Sequence, residues 1–191
     1  MNIRRLKAFI TSKISHEISD KIYYHGVHHT LEVLHVCNEY IKRLSIGKAD
    51  AFLLRTAALL HDIGFIWTYN NHEERGVQYA KQILPEWGYQ EDDIDVICKM
   101  IMATKIPQKP QNLLEMIICD ADLDYLGTDR FKATGETLYQ ELLNFGLTEN
   151  EKSWDRIQID FLGTHEYHTD YAKKHRKPVK RQHLKEVMDK Q

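Results

Sequence analysis

Apolar residues recur at helical steps along most of the chain. Ile3, Leu6, Ile10, Ile14 and Ile18 fall three or four apart and lay one stripe on a first helix. Leu31, Leu34, Ile41 and Leu44 do the same for a second, which Gly47 can end. A third runs from about Asp50, a good N-cap, through AFLLRTAALL to His61; Ala57 and Ala58 on it let another helix approach closely, which puts its far end deep in the core. Asn71 is placed to cap a fourth helix with Glu73 and Glu74 in its first turn, where the helix dipole favours negative charge, and Pro85 follows its Leu84. A fifth covers about Glu91 to Thr104, and the KIPQKP segment after it cannot be helical throughout. A sixth, NLLEMIICDADLDYL, stops at Gly127; a seventh runs from about Asp129 to Phe145; Thr148 with Glu151 forms a capping box for an eighth. The chain has nine Gly and four Pro, no sustained two-residue alternation and no tight-hairpin dipeptide, so strands are not expected. The pattern predicts an all-α fold of about eight helices in one domain over residues 1–191, its C-terminal helices within 148–191.

Composition narrows the setting. At 191 residues and 42% hydrophobic the chain can bury a core without disulfides or a structural metal. The 26 Lys and Arg against 28 Asp and Glu leave a net charge of −2, which excludes a chain-wide basic surface for nucleic acid or membrane. No uninterrupted hydrophobic run exceeds four residues, far short of a membrane span, and MNIRRLKAFI lacks the apolar stretch and cleavage site of a signal peptide. Cys37, Cys98 and Cys119 form no CxxC pair, so buried thiols in a reducing, cytoplasmic setting are expected. The segment YAKKHRKPVKRQHLKEV reads as a solvated final helix or tail, with a phosphate-attracting arm as the alternative.

Histidine changes the picture most. There are 11, four of them between His25 and His35. His61 and Asp62 stand side by side at the end of an apolar helix, where burying an imidazole and a carboxylate is costly unless something pairs with them; a divalent cation is the obvious partner. His29 opens the second helix and Asp122 lies on the apolar sixth. Two imidazoles and two carboxylates from three helices suit one ion with coordination positions left for water or substrate. Residues two apart on a helix point to nearly opposite faces, so only one of Asp120 and Asp122 can aim at that ion. His28 is expected to face outward and His35 to be structural.

The motifs Y-H-x-x-x-H-T-L-E-V, A-A-L-L-H-D-I-G and D-A-D-L-D-Y-L-G, in this order over Tyr24 to Phe131, resemble the signatures of the HD-domain metal-dependent phosphohydrolases, including their cyclic nucleotide phosphodiesterase relatives. The resemblance implies that His29, His61, Asp62 and Asp122 hold a divalent metal (Mn, Fe, Co, Ni, Zn or Mg), selecting Asp122 over Asp120. It implies that His25 protonates the leaving oxygen, although Gly26 stands where the phosphodiesterase Y-H-N signature has Asn, and it points to a nucleotide monoester or cyclic diester as substrate. Asp62, or the metal alone, would orient the attacking water. His72, ten residues after Asp62, is a candidate for substrate phosphate, a bridging water or a second metal; the lack of any His between it and His165 favours one ion. Lys105 and Arg130 are candidates to balance phosphoryl charge, with Arg75 next in line. The rival functions are a non-catalytic metal-stabilised binding or signalling module and an HD-fold di-iron oxygenase. A homo-oligomer stays open.

Overall fold

The apolar stripes become helices that turn their buried faces to a common centre. The computed structural model describes residues 2–190; Met1 and Gln191, the ends of the expected domain, lie outside them. Among the described residues the chain forms ten α-helices and no strand: α1 (Ile3–Glu17), α2 (Val27–Arg43), α3 (Lys48–Leu60), α4 (His72–Ile83), α5 (Glu91–Ala103), α6 (Leu113–Asp122), α7 (Phe131–Asn144), α8 (Glu151–Thr164), α9 (Asp170–His175) and α10 (Lys177–Met188). No helix among them is long and apolar enough to cross a membrane.

Helix α3 is the hub, packed on α1, α2, α5 and α6. Its Leu54, Ala57, Ala58, Leu59 and Leu60 are wholly buried, and the two alanines hold its C-terminal end close to its neighbours. A large apolar core spans α1 to α6. A second, smaller cluster gathers Tyr24, Leu123, Tyr125, Leu126, Phe131, Leu162 and Val187 around α7, α8 and α10.

Several ends differ from the sequence expectation. Helix α2 ends at Arg43 and α3 starts at Lys48 with Gly47 as its N-cap, so Asp50 sits in the first turn and not at the cap. Asn71 does precede α4, but in the left-handed region at φ 56° and without a side-chain cap. Asn150 and Ser153, not Thr148 and Glu151, make the capping box of α8, and the Thr148 hydroxyl instead meets that of Ser153 at 2.6 Å. Helix α6 ends at Asp122 and not at Gly127, because Leu123 leaves helical geometry and Asp124–Gly127 tightens into a 3₁₀ turn. Gly127 permits that turn to lie against α10, since a Cβ there would collide with the Arg176 backbone.

The basic C-terminal stretch forms the final helices, α9 and α10, with Lys173, Lys174, Arg181 and Lys185 exposed and a few charges turned inward. Lys180 is buried and donates to the Leu162 and His165 carbonyls, satisfying the open end of α8. Arg176 binds Asp124 at 2.7 Å, and Val187 enters the second cluster. Its charges close the fold against α8 and the 124–127 turn.

Candidate metal centre and adjoining cavity

Three helix ends converge in the core. His29 lies in the first turn of α2, His61 follows the last residue of α3, and Asp122 is the last residue of α6. After Asp62 the chain winds into a 3₁₀ turn, Ile63–Ile66. The N-terminus of α4 sits directly on Gly64, where a Cβ would run into the His72 backbone, so this glycine brings His72 beside Asp62.

Each imidazole lies within 3.5 Å of the other and of both carboxylates. His29 Nε2 lies 3.0 Å from Asp122 Oδ1, 3.3 Å from Asp62 Oδ2 and 3.3 Å from His61 Nε2. His61 Nε2 is 3.1 Å from Asp62 Oδ2 and 3.5 Å from Asp122 Oδ1. Donor atoms bound ~2.1 Å from one ion stand ~3.0–3.4 Å apart in octahedral or tetrahedral geometry, which is the spacing seen here. All four ligand atoms fall within 4.8 Å of one another. Asp62 Oδ2 is buried and has no hydrogen-bond donor, a costly state that a cation would relieve. His61 Nδ1 lies 2.9 Å from the Ala58 carbonyl, so the proton belongs on Nδ1 and the Nε2 lone pair is turned to the cluster. The donor set therefore fits a divalent metal.

Electrostatics agree. Burial opposes charge on His29 and His61, yet the carboxylates of Asp62 and Asp122 outweigh it and raise both imidazoles; the same imidazoles hold the Asp62 and Asp122 carboxyls low against burial. A field that draws protons onto buried imidazoles also draws a cation. Asp120 faces the other way: wholly buried, it accepts from the His168 and Thr169 amides and the Thr169 hydroxyl. His28 and His35 are exposed.

His25 stands beside the cluster, its ring 5.9 Å from that of His29 and stacked on Phe65 at 4.0 Å. Its Nδ1 is 2.5 Å from Glu141 Oε1, which leaves Nε2 as the unengaged nitrogen. Glu141, on α7 and wholly buried, also accepts from the Tyr24 amide, the His25 amide and the Tyr69 hydroxyl. Burial pushes its carboxyl up, but these bonds, led by His25, hold it below the usual range. The sequence reading missed Glu141. Its signal was a lone acid on the stripe of Leu138, Leu142 and Phe145, where a charge needs a partner.

His72 reaches Asp62 from the other side, Nε2 to Oδ1 at 3.5 Å, and stacks on the same Phe65 at 3.8 Å. The remaining candidates are elsewhere. Lys105 pairs with Glu74 and Asn71, Arg130 pairs with Glu32 and Asp124, and Arg75 lies over Trp67. None of the three lines the cavity beside the cluster. Each pairs with a carboxylate or lies over an aromatic ring outside that wall.

That cavity measures about 220 Å³. His25, Asp62, His72, Glu73 and Asp122 line one end, and apolar side chains from the 123–126 segment, α7 and α8 line the rest. The family model of the HD domain matches residues 26–124, just over half of the chain and all four clustered residues. No curated protein and no solved structure matches it.

Proposed function

Because the chain belongs to the HD-domain family, we propose that it hydrolyses phosphate esters with one divalent metal ion held by His29, His61, Asp62 and Asp122. The 3.0–3.5 Å that separate each imidazole from the other and from both carboxylates, around a buried carboxylate oxygen that lacks a hydrogen bond, support this reading. Bound there, such an ion supplies Lewis acidity, lowering the pKa of a water it holds and polarising the phosphoryl oxygen.

The chain's own residues supply the rest. Asp62 Oδ1 and His72 Nε2, 3.5 Å apart on the cavity side, orient the attacking water. His25 donates a proton from Nε2 to the departing oxygen. Glu141 holds Nδ1, fixing the ring's orientation and tautomer, and so takes over the positioning that Gly26 has no side chain to provide. The Phe65 ring, shared by His25 and His72, keeps both imidazoles at one edge of the site and excludes water between them.

The test is a panel of phosphate esters, nucleotide mono- and cyclic diesters among them, assayed with manganese, iron, cobalt, nickel, zinc and magnesium. Metal-dependent turnover is expected. His25→Ala should slow an alkyl or nucleotide ester by ~10²–10⁴-fold and a nitrophenyl ester far less, because nitrophenolate leaves without a proton. Equal slowing of both would remove His25 from the role of acid, and no turnover on any ester with any metal would leave a binding module.

A further inference from the structure

The cavity that meets the metal centre is built for hydrocarbon. Beyond its polar end the wall is mostly apolar, with Leu126, Phe131, Leu138, Leu142, Trp154 and Phe161 among its residues, and among the described residues no Lys or Arg lines it. At its rim Ile106 is 51% and Ile157 38% exposed, so the apolar surface continues outward to solvent. The three cations that could have met a polyanion, Lys105, Arg130 and Arg75, lie off the wall on carboxylates or a ring. Gln158 is the one amide on the wall. A nucleotide would bring ribose hydroxyls and a polar base edge against a wall that is mostly aliphatic and aromatic carbon, with Gln158, Thr104 and the tyrosine hydroxyls as its few polar groups, so most of the hydrogen bonds given up to water would go unreplaced.

We infer that the substrate is the phosphate ester of an apolar alcohol, alkyl or aryl, with its phosphoryl group at the His29, His61, Asp62 and Asp122 end and its hydrocarbon in the chamber between α7 and α8. This rests on the phosphate-ester reading of the same site. The reaction needs only water: its oxygen bonds to phosphorus, the ester P–O bond breaks, and a proton reaches the departing alkoxide, giving the alcohol and phosphate. Leu138 and Leu142 lie on the same face of α7 as Glu141, so the helix that positions His25 also walls the chamber and ties the group recognised to the oxygen protonated.

The experiment is calorimetric titration of the manganese-loaded full chain with ethyl-, butyl- and hexylphosphonate, whose P–C bond resists hydrolysis, and with adenosine monophosphate. Turnover of the matching phosphate esters is measured separately. Affinity should rise about fourfold per methylene, ~0.8 kcal/mol each, or about 10²-fold from ethyl to hexyl, with adenosine monophosphate weaker than hexylphosphonate. Ile157→Lys, at an exposed rim position that folding tolerates, should cut the hexyl advantage by about tenfold. A flat series, or adenosine monophosphate ahead of hexylphosphonate, would overturn the inference. A rising phosphonate series with no ester turned over would instead overturn the hydrolase reading and leave the chamber's selectivity standing.

Discussion

The two ends of the cavity are held together by different physics. At the histidine end the groups are set by direction: His61 on the Ala58 carbonyl, His25 on Glu141, His72 on Asp62, and two carboxylates facing two imidazoles at about 3 Å, with Asp62 Oδ2 left without a hydrogen bond. At the far end Leu138, Leu142 and Phe161 meet one another without direction. Polar contacts in a core are all-or-none, since a group that loses its partner bears the full cost of desolvation, whereas apolar walls tolerate exchange at similar volume. The comparison teaches that the polar end decides which chemistry the site can perform and the apolar end which molecules reach it.

The sharpest way to break this contrast is to remove a metal-end group. His61→Ala should abolish metal binding and turnover together and lower the melting temperature, because an ion held by the proposed ligands would link α2, α3 and α6; metal content and a thermal melt check it. Glu141→Gln comes next. It keeps the shape but loses the charge that orients His25, and should lower kcat on an alkyl ester by about 10²-fold while sparing a nitrophenyl ester and the metal content. If Glu141→Gln slows both esters alike, Glu141 supports the fold of α7 and not the proton donor.

A third comparison lies within one helix. Asp122→Asn should weaken metal binding, whereas Asp120→Asn should leave it intact and destabilise the fold by ~1–3 kcal/mol, since an amide NH₂ would face the donors of His168 and Thr169. Metal titration and chemical denaturation of the pair separate the two roles; the opposite pattern would reverse the faces of α6.

How much of this could be read beforehand follows from the same contrast. The residues at the metal end stand out because chemistry confines them to a few types set next to one another, as in His61-Asp62 and Asp120-Ala121-Asp122, on segments that are otherwise apolar. Ile3 to Ile18, Leu31 to Leu44 and the AFLLRTAALL run revealed their helices because periodicity survives almost any apolar choice. Glu141 stayed hidden because a glutamate in TLYQELLN resembles solvated helix surface until Tyr24 and His25, more than a hundred residues earlier, arrive beside it. In the basic C-terminal stretch, expected as a solvated final helix or tail, Lys180 departs from that pattern for a related reason: it is buried by packing on the end of α8, which no local pattern announces. The chamber was equally invisible, since leucines that line a cavity and leucines that fill a core are written with the same letter.

Smaller effects probe the boundary of the chamber. His165, behind Phe161, is buried with no partner for either ring nitrogen; burial first, and Lys180 second, lower its imidazole from near 6.5 to about 3. The unfolded chain takes up that proton below pH ~6.5 while the folded chain does not until about 3, so stability falls as pH drops through this window by ~1.4 kcal/mol per unit. His165→Phe should therefore gain ~2 kcal/mol over wild type between pH 7 and pH 5, read by urea denaturation at the two values. Smallest of all, Lys105→Ala and Arg130→Ala should leave kcat/KM within about twofold, because neither side chain lines the cavity. A loss of tenfold or more in KM for either would bring that cation back to the substrate.

The central claim is that two imidazoles and two carboxylates form one metal centre, and the most direct measurement is an anomalous difference map from a crystal grown with manganese. A single strong peak is expected ~2.0–2.3 Å from His29 Nε2, His61 Nε2 and an oxygen each of Asp62 and Asp122. A peak elsewhere with none at this cluster, or none at all while the protein binds manganese in solution, would contradict it.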